Sequence, residues 1–259
     1  MQAYQIVQRA RQLDRISTLE VIDSLCSDFI ELHGDRLMAD DKAMVAGIGL
    51  VENKPITVVG IQKGRHTKEN IMRNFGSSGP AGYRKAIRQM KLAEKFGRPV
   101  LTLINTAGAH AAPESEENGI GDAIAQSLIT MSELTVPTLS IILGEGGSGG
   151  AIALALTDSV WMMENSIYSI LSPEGFASIL WKDSKLASQA ADVMKLTAKD
   201  LLELKVIDKI IPEEENGIFI EKNQLLNNLT QAIKSEFSRL MAIDSEQRHE
   251  MKYARFRQF

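Results

Sequence analysis

Thr138-Leu-Ser-Ile-Ile-Leu-Gly-Glu-Gly-Gly-Ser-Gly-Gly-Ala151, running on into Ile-Ala-Leu-Ala155, reads as strand, glycine turn and buried helix. Leu139 to Leu143 is a short apolar, β-branched run with Pro137 before it and glycine after it, the pattern of a strand covered on both faces. Gly144 is expected to break it. Five glycines in the seven residues 144–150 let the backbone approach a ligand with no Cβ in the way. The helix starting near Gly147 aims its free N–H groups at the same place, which suits developing negative charge. Tight helix packing alone would call for glycine or alanine at helical spacing, not for a cluster at the turn.

Upstream, Val100 to Ile104 is a second buried strand ending in a second glycine turn, Asn105-Thr-Ala-Gly-Ala-His110, before the acidic Glu114, Glu116 and Glu117. Each strand is preceded by a helix. The first opens at Pro80, carries Tyr83, Ala86, Ile87, Met90, Ala93 and Phe96 at steps of three and four, and stops at Gly97. The second runs from about Gly119 with Ile120, Ile124, Leu128, Met131 and Leu134 on one face. Two successive helix–strand–turn units predict crossovers that bring both turns to one end of the sheet, with a ligand site between them.

Further out, residues 3–32 read as helical, with a cap at Ser17 or Thr18 and a stripe through Leu19, Ile22, Leu25, Phe29 and Ile30. Met44 to Leu50 and Ile56 to Ile61 form a hairpin around Glu52-Asn53-Lys54. The loop Gln62 to Gly76 places Lys63, Arg65, Lys68 and Arg73 together, either as a solvated surface or as a site for phosphate or carboxylate. Beyond the central helix come strands at 159–163 and 167–171, and a helix through Trp181 started by Ser172-Pro-Glu-Gly175. Helices at 184–194, 198–204 and 222–240 follow, with a strand at 206–211. The basic, aromatic stretch His249 to Phe259 is expected to be disordered or docked on a neighbour.

Composition narrows the class. A chain of 259 residues with 44% apolar and 24% charged residues is globular and fits one main domain. Its net charge of −4 argues against nucleic acid as partner, and the absence of any apolar run near 20 residues argues for a cytoplasmic protein. One cysteine, Cys26, supports neither an internal disulfide nor a zinc cluster, and the four histidines show no metal-ligand spacing.

Gly144 to Ala151, Ser169-Ile-Leu-Ser-Pro-Glu-Gly175, Ile179-Leu-Trp-Lys182 and Glu31-Leu-His-Gly-Asp-Arg36 resemble the carboxyltransferase α subunit of bacterial acetyl-coenzyme A carboxylase. Gln62 to Arg65, Thr67 to Glu69, Arg73 to Gly76 and Gly82 to Ala86 match it too, so the resemblance spans nearly the whole chain. It implies an α/β fold, a crotonase-like spiral of ββα units with flanking helices. In this picture one carboxyltransferase domain covers 1–259, with an N-terminal helical segment 1–35 and a C-terminal helical region 184–259.

The implied reaction moves a carboxyl group from carboxybiotin, held on a biotin carboxyl carrier protein, to acetyl-CoA, giving malonyl-CoA for fatty acid biosynthesis. The implied partners are a β subunit that carries zinc, in an α2β2 assembly, and a biotin carboxylase component that uses ATP. No metal site is expected on this chain. Fixed N–H donors then carry the catalysis: Gly146 and Gly147 as the catalytic donors, with Gly108, Ala109, Gly144, Lys63 and Arg65 binding substrate. This chain departs from the family pattern at Asn105, His110 and Glu116-Glu-Asn-Gly-Ile120, which loses an aromatic wall and an arginine from the first turn. Three alternatives stand beside this: a divergent or scaffolding copy of the subunit, a hydratase or isomerase using Glu145 or Glu174, and a serine peptidase built on Ser148.

Overall fold

The computed structural model describes residues 1–258. Two helices, α1 (Ala3–Ala10) and α2 (Thr18–Leu25), lead into β1 (Ser27–Glu31) and the hairpin β2 (Met44–Val51) and β3 (Lys54–Ile61). Next come α3 (Thr67–Met72), α4 (Pro80–Phe96), β4 (Val100–Thr106), α5 (Pro113–Glu117), α6 (Ile120–Glu133), β5 (Thr138–Gly147) and α7 (Ser148–Ile152). The chain continues through β6 (Ser159–Met163), β7 (Ile167–Ser169), α8 (Pro173–Phe176), α9 (Ala187–Met194), α10 (Ala198–Glu203) and β8 (Lys209–Ile211). A small pair, β9 (Glu214–Glu215) and β10 (Ile218–Phe219), precedes α11 (Lys222–Met241) and α12 (Ser245–Phe256).

The main sheet runs β1-β2-β3-β4-β5-β6-β8, with β7 added beside the upper end of β5. β1, β2 and β3 are antiparallel; the β3–β4, β4–β5, β5–β6, β6–β8 and β5–β7 pairs are parallel. The hairpin turn uses Glu52 and Asn53, both at positive φ (51° and 62°), the geometry whose twist matches the flanking strands.

Alternate residues of the central strands feed two cores, as the period of two demands. Val59, Ile61, Val100, Ile104 and Ile142 pack under α4 and α6 with Tyr83, Met90 and Met131. Val58, Leu101, Leu103, Ile141 and Trp161 pack on the opposite face against Ile22 of α2 and Leu229, Ile233 and Phe237 of α11. Covering on both faces explains why these strands read as continuous apolar runs. Because β4 and β5 are parallel neighbours, with Val100 beside Thr138 and Ile104 beside Ile142, their carboxyl ends open at one edge of the sheet.

The structure departs from the sequence expectations at several places. The segment 3–32 is not one helical stretch: Ser17 caps α2 in a reciprocal box with Glu20, α2 ends at Leu25, and the chain then extends as β1. The stripe at Phe29 and Ile30 mimics helical spacing, yet Asp28 sits at φ 51° in a register shift between Ser27 and Ile30, and Ile30 is 64% exposed. The strand expected to break at Gly144 continues to Gly147, because β7 pairs Ile167, Tyr168 and Ser169 with Glu145, Gly146 and Gly147. The strands expected at 167–171 and 206–211 are three residues each. The loop at 62–76 contains α3, capped by the His66 ring.

The C-terminal stretch forms α12 and docks on its own chain; Phe259 lies outside the described residues. The Lys252 ammonium donates to the Met131 and Leu134 carbonyls (3.0 and 3.1 Å), and Arg248 donates to Thr135 O at 2.6 Å. These cations satisfy carbonyls at the C-terminal end of α6, where a helix leaves acceptors free and its dipole is negative.

Candidate active site

The first turn leaves β4 at Thr106, whose hydroxyl accepts from the Gly108 N–H (3.0 Å) and donates to the Gly108 carbonyl (2.8 Å). Gly108 adopts φ 156°, and the His110 N–H donates to Ser78 O beside the start of α4. The second turn leaves β5 at Gly147. A Cβ there would stand 2.1 Å from the Ala107 carbonyl oxygen, so only glycine lets the two turns meet. Gly150 repeats the constraint: a Cβ would come within 2.6 Å of the Ala109 nitrogen and 2.8 Å of the Tyr83 hydroxyl, which itself donates to Gly150 O.

Gly146 is buried in the ladder between Thr106 of β4 and Tyr168 of β7, and Gly147 is half-buried beside Ser169. Ser148 is exposed and held at φ 51°, a conformation costly for a residue with a Cβ. Past α7 the Leu154 carbonyl accepts from Thr102 (2.6 Å) and Ser140 (2.9 Å), which anchors this segment to β4 and β5.

Two clefts flank the turns. One, of about 480 Å³, is lined by Ser148, Gly149, Ile152, Tyr168, Ile170 and Leu201 among others, with Ile170 78% exposed. The other, of about 470 Å³, includes His110, Ser115, Asn118, Asp41 and Gly79. His110 Nδ1 pairs with the buried Ser115 hydroxyl at 2.9 Å, so this side chain turns toward α5. Sequence reasoning placed the glycines but missed Tyr168 and Ile170 as cleft walls, since β7 carries no local mark of its pairing with β5.

The ionic groups near the second turn are mutually engaged. Glu145 receives Arg11 Nε at 3.0 Å and the Lys63 ammonium. Arg11 also grips both oxygens of Glu174 (2.8 and 3.0 Å), and the Tyr4 hydroxyl donates to Glu174. The Arg11 contact holds the Glu174 carboxyl down at about 2, and the same contacts push Arg11 further above its ordinary value. Glu174 is therefore ionised and not free to act as an acid.

The expected substrate-binding residues lie in different surroundings. Gly108 and Ala109 meet the second turn through Ser148 and Gly150. Gly144 is buried between the Ala10 carbonyl and the Asn105 amide, where it packs rather than lines a cleft. Lys63 is committed to Glu145, and Arg73 to Glu69 (3.1 Å) and Lys42 O. Arg65, 63% exposed and 3.8 Å from Glu69, remains on the surface. Asn105 keeps a role open to either an amide or a carboxylate, since its side-chain oxygen accepts the Glu145 N–H at 3.1 Å. Among the described residues no three His, Cys, Asp or Glu side chains gather as a metal ligand set. No helix is long and apolar enough to cross a membrane, again among the described residues.

The acetyl co-enzyme A carboxylase carboxyltransferase-like family model matches residues 1–259. The chain belongs to this family. An acetyl-coenzyme A carboxylase carboxyl transferase subunit alpha from Streptococcus uberis is 52% identical over 254 residues, covering 98% of each chain. Among solved structures, transcarboxylase 12S superposes with a TM-score of 0.72 at 16% identity, covering 91% of this chain and 44% of that one. A Pseudomonas malonate decarboxylase hetero-tetramer in complex with coenzyme A gives 0.69 at 14% identity, covering 90% and 91%. At that identity these structures bear on fold alone, and the fold is the crotonase-like α/β arrangement of this carboxyltransferase family.

Proposed function

We propose that the chain is the α subunit of the carboxyltransferase of acetyl-coenzyme A carboxylase. Together with a β subunit it moves the carboxyl group of carboxybiotin, presented on a biotin carboxyl carrier protein, to acetyl-CoA, yielding malonyl-CoA in the cytoplasm. In this transfer the bond from the biotin nitrogen to the carboxyl carbon breaks and a carbon–carbon bond to the thioester methyl forms. The proton released by the methyl ends on the biotin nitrogen. ATP is spent earlier, by the biotin carboxylase component, and zinc belongs to the β subunit.

The observation that carries this reading is a backbone-lined turn whose neighbouring carboxylates are both held in ion pairs. The reaction needs no protein nucleophile; its barrier lies in charge on the ureido oxygen and on the thioester enolate, which fixed N–H groups stabilise by roughly 2.7–4 kcal/mol each. Gly146 and Gly147 are the proposed donors on the biotin side, with Gly108 and Ala109 as the facing wall. Arg65 is the proposed contact for anionic groups of the carrier or of acetyl-CoA, and Lys63 serves by holding Glu145. The exposed Ile152 and Ile170 at the cleft fit a surface to be covered by the β subunit.

A hydratase or isomerase needs a carboxylate that changes protonation near neutral pH, and Glu174, ionised down to about 2, does not. A serine peptidase needs a base on Ser148, and among the described residues no histidine side chain hydrogen-bonds to it. Malonyl-CoA decarboxylation with biocytin as carboxyl acceptor tests the proposal. The isolated chain is expected to be inert and the chain with its β subunit to turn over. Robust turnover by the isolated chain would sink the split site, and no turnover by the assembled pair would sink the carboxyltransferase itself.

A further inference from the structure

The last residue of α1 and the loop that follows it meet the strand that delivers the second turn at three consecutive positions. Arg15, its side chain almost fully buried, donates twice to the Leu143 carbonyl (2.9 and 2.6 Å) and pairs with Glu213 at 3.0 Å. The Ala10 carbonyl lies against Gly144, 2.8 Å from where a Cβ would be. Arg11 takes Glu145 and, through its other nitrogens, Glu174 at the start of α8. The next two residues of the strand are Gly146 and Gly147. Around α1 itself, Val7 and Ala10 form a small core of their own with Ile167 of β7, Ala191 of α9 and Leu196. Through Ile167 the segment is thus seated on β7, whose Tyr168 lines the cleft.

We propose that residues 10–15 form a positioning clamp for the glycine turn, and that Arg11 is its positioning residue, fixing β5 relative to α8. Arg11 is not placed on the reacting atoms; it acts through Glu145. Its planar guanidinium contacts two carboxylates on different elements at once, which the point charge of a lysine cannot reproduce. A backbone donor is effective only where it already points at the developing charge, and a displacement near 1 Å can cost about 10²-fold in rate. The clamp rests on the carboxyltransferase reading for its effect on turnover, but its mechanical content does not.

The test compares Arg11→Met, Arg11→Lys and the exposed-pair control Arg239→Met. Each is assembled with the β subunit, checked by size-exclusion chromatography and assayed for malonyl-CoA decarboxylation. Arg11→Met is expected to lower kcat by about 10²-fold with the KM for malonyl-CoA unchanged. Arg11→Lys should fall between it and the wild type, and Arg239→Met should match the wild type. Hydrogen exchange on the isolated chain supplies the readout that needs no activity. Amides of 145–150 should exchange faster in both Arg11 variants while those of Val100 to Ile104 keep their protection.

If Arg11→Met does not assemble, Arg11→Lys carries both measurements. An assembled Arg11 variant with wild-type kcat, or unchanged exchange at 145–150, overturns the clamp. An inert wild-type pair whose Arg11 variants still show faster exchange overturns the function and leaves the clamp standing.

Discussion

The two glycine turns sit side by side at one edge of the sheet, yet they are held in opposite ways. The turn after β4 is organised mostly by itself, through the Thr106 hydroxyl on Gly108 and one bond from His110 to Ser78. The turn after β5 is gripped residue by residue, by Arg15, Ala10, Arg11 with Lys63, the β4 and β7 ladders, and then Ala107 and Tyr83. A group that must present donors to a transient charge gains from having no freedom left. A group that forms a facing wall tolerates change, and His110, whose ring turns away to Ser115, falls on that side.

The sharpest way to break the comparison is Gly147→Val. Its branched Cβ meets the Ala107 carbonyl, so the turns must part. An assembled variant is expected to lose roughly 10²–10³-fold in kcat, the effect of one misplaced donor. Ser148→Ala at the neighbouring exposed position is expected to keep near-normal turnover. A dead Ser148→Ala beside an active Gly147→Val would move the chemistry from the backbone to the hydroxyl.

A second test uses acid. The folded Glu174 carboxyl titrates at about 2 against an ordinary 4.5, so its contribution to stability is present above about 4.5 and fades as pH falls toward 2. In urea denaturation, wild type should exceed Glu174→Gln at pH 7, and the gap should close on acidification through that window. A gap that stays constant with pH would show that the Arg11 grip on Glu174 does not depend on the carboxylate's charge. The smallest effect is expected at the other turn: the double variant Asn105→Asp/His110→Tyr should change kcat of the assembled pair by less than about tenfold. A larger change would show that the first turn is as tightly specified as the second.

What the sequence made legible follows the same division between local and distant causes. The helix Pro80–Phe96 with its stop at Gly97, the Glu52-Asn53 hairpin and the cap at Ser17 are written in neighbouring residues, and each stands where the pattern put it. Both glycine turns were readable because their glycines cluster. β1 was hidden because apolar residues at Leu25, Phe29 and Ile30 fit a helical face as well as they fit an edge strand with a bulge. The contacts of Arg11 and Arg15 with Glu145, Glu174, Leu143 and Glu213 span 128–198 residues and leave no periodic trace. Lys63 looked like part of an open anion site because Glu145, which occupies it, lies 82 residues along the chain, whereas Arg73 has a partner in Glu69 only four residues back.

The seat of α12 on the end of α6 has a consequence for how the protein is made. Lys252 reaches Met131 across 121 residues, and Arg248 reaches Thr135 across 113. A ribosome therefore releases the crossover that feeds β5 long before it releases the cations that cap it. Domains tend to fold in the order in which they are synthesised. Here the carbonyls between α6 and β5 must wait, bound to water, until α12 emerges, so they gain their protein partners only 113 to 121 residues after they themselves are made.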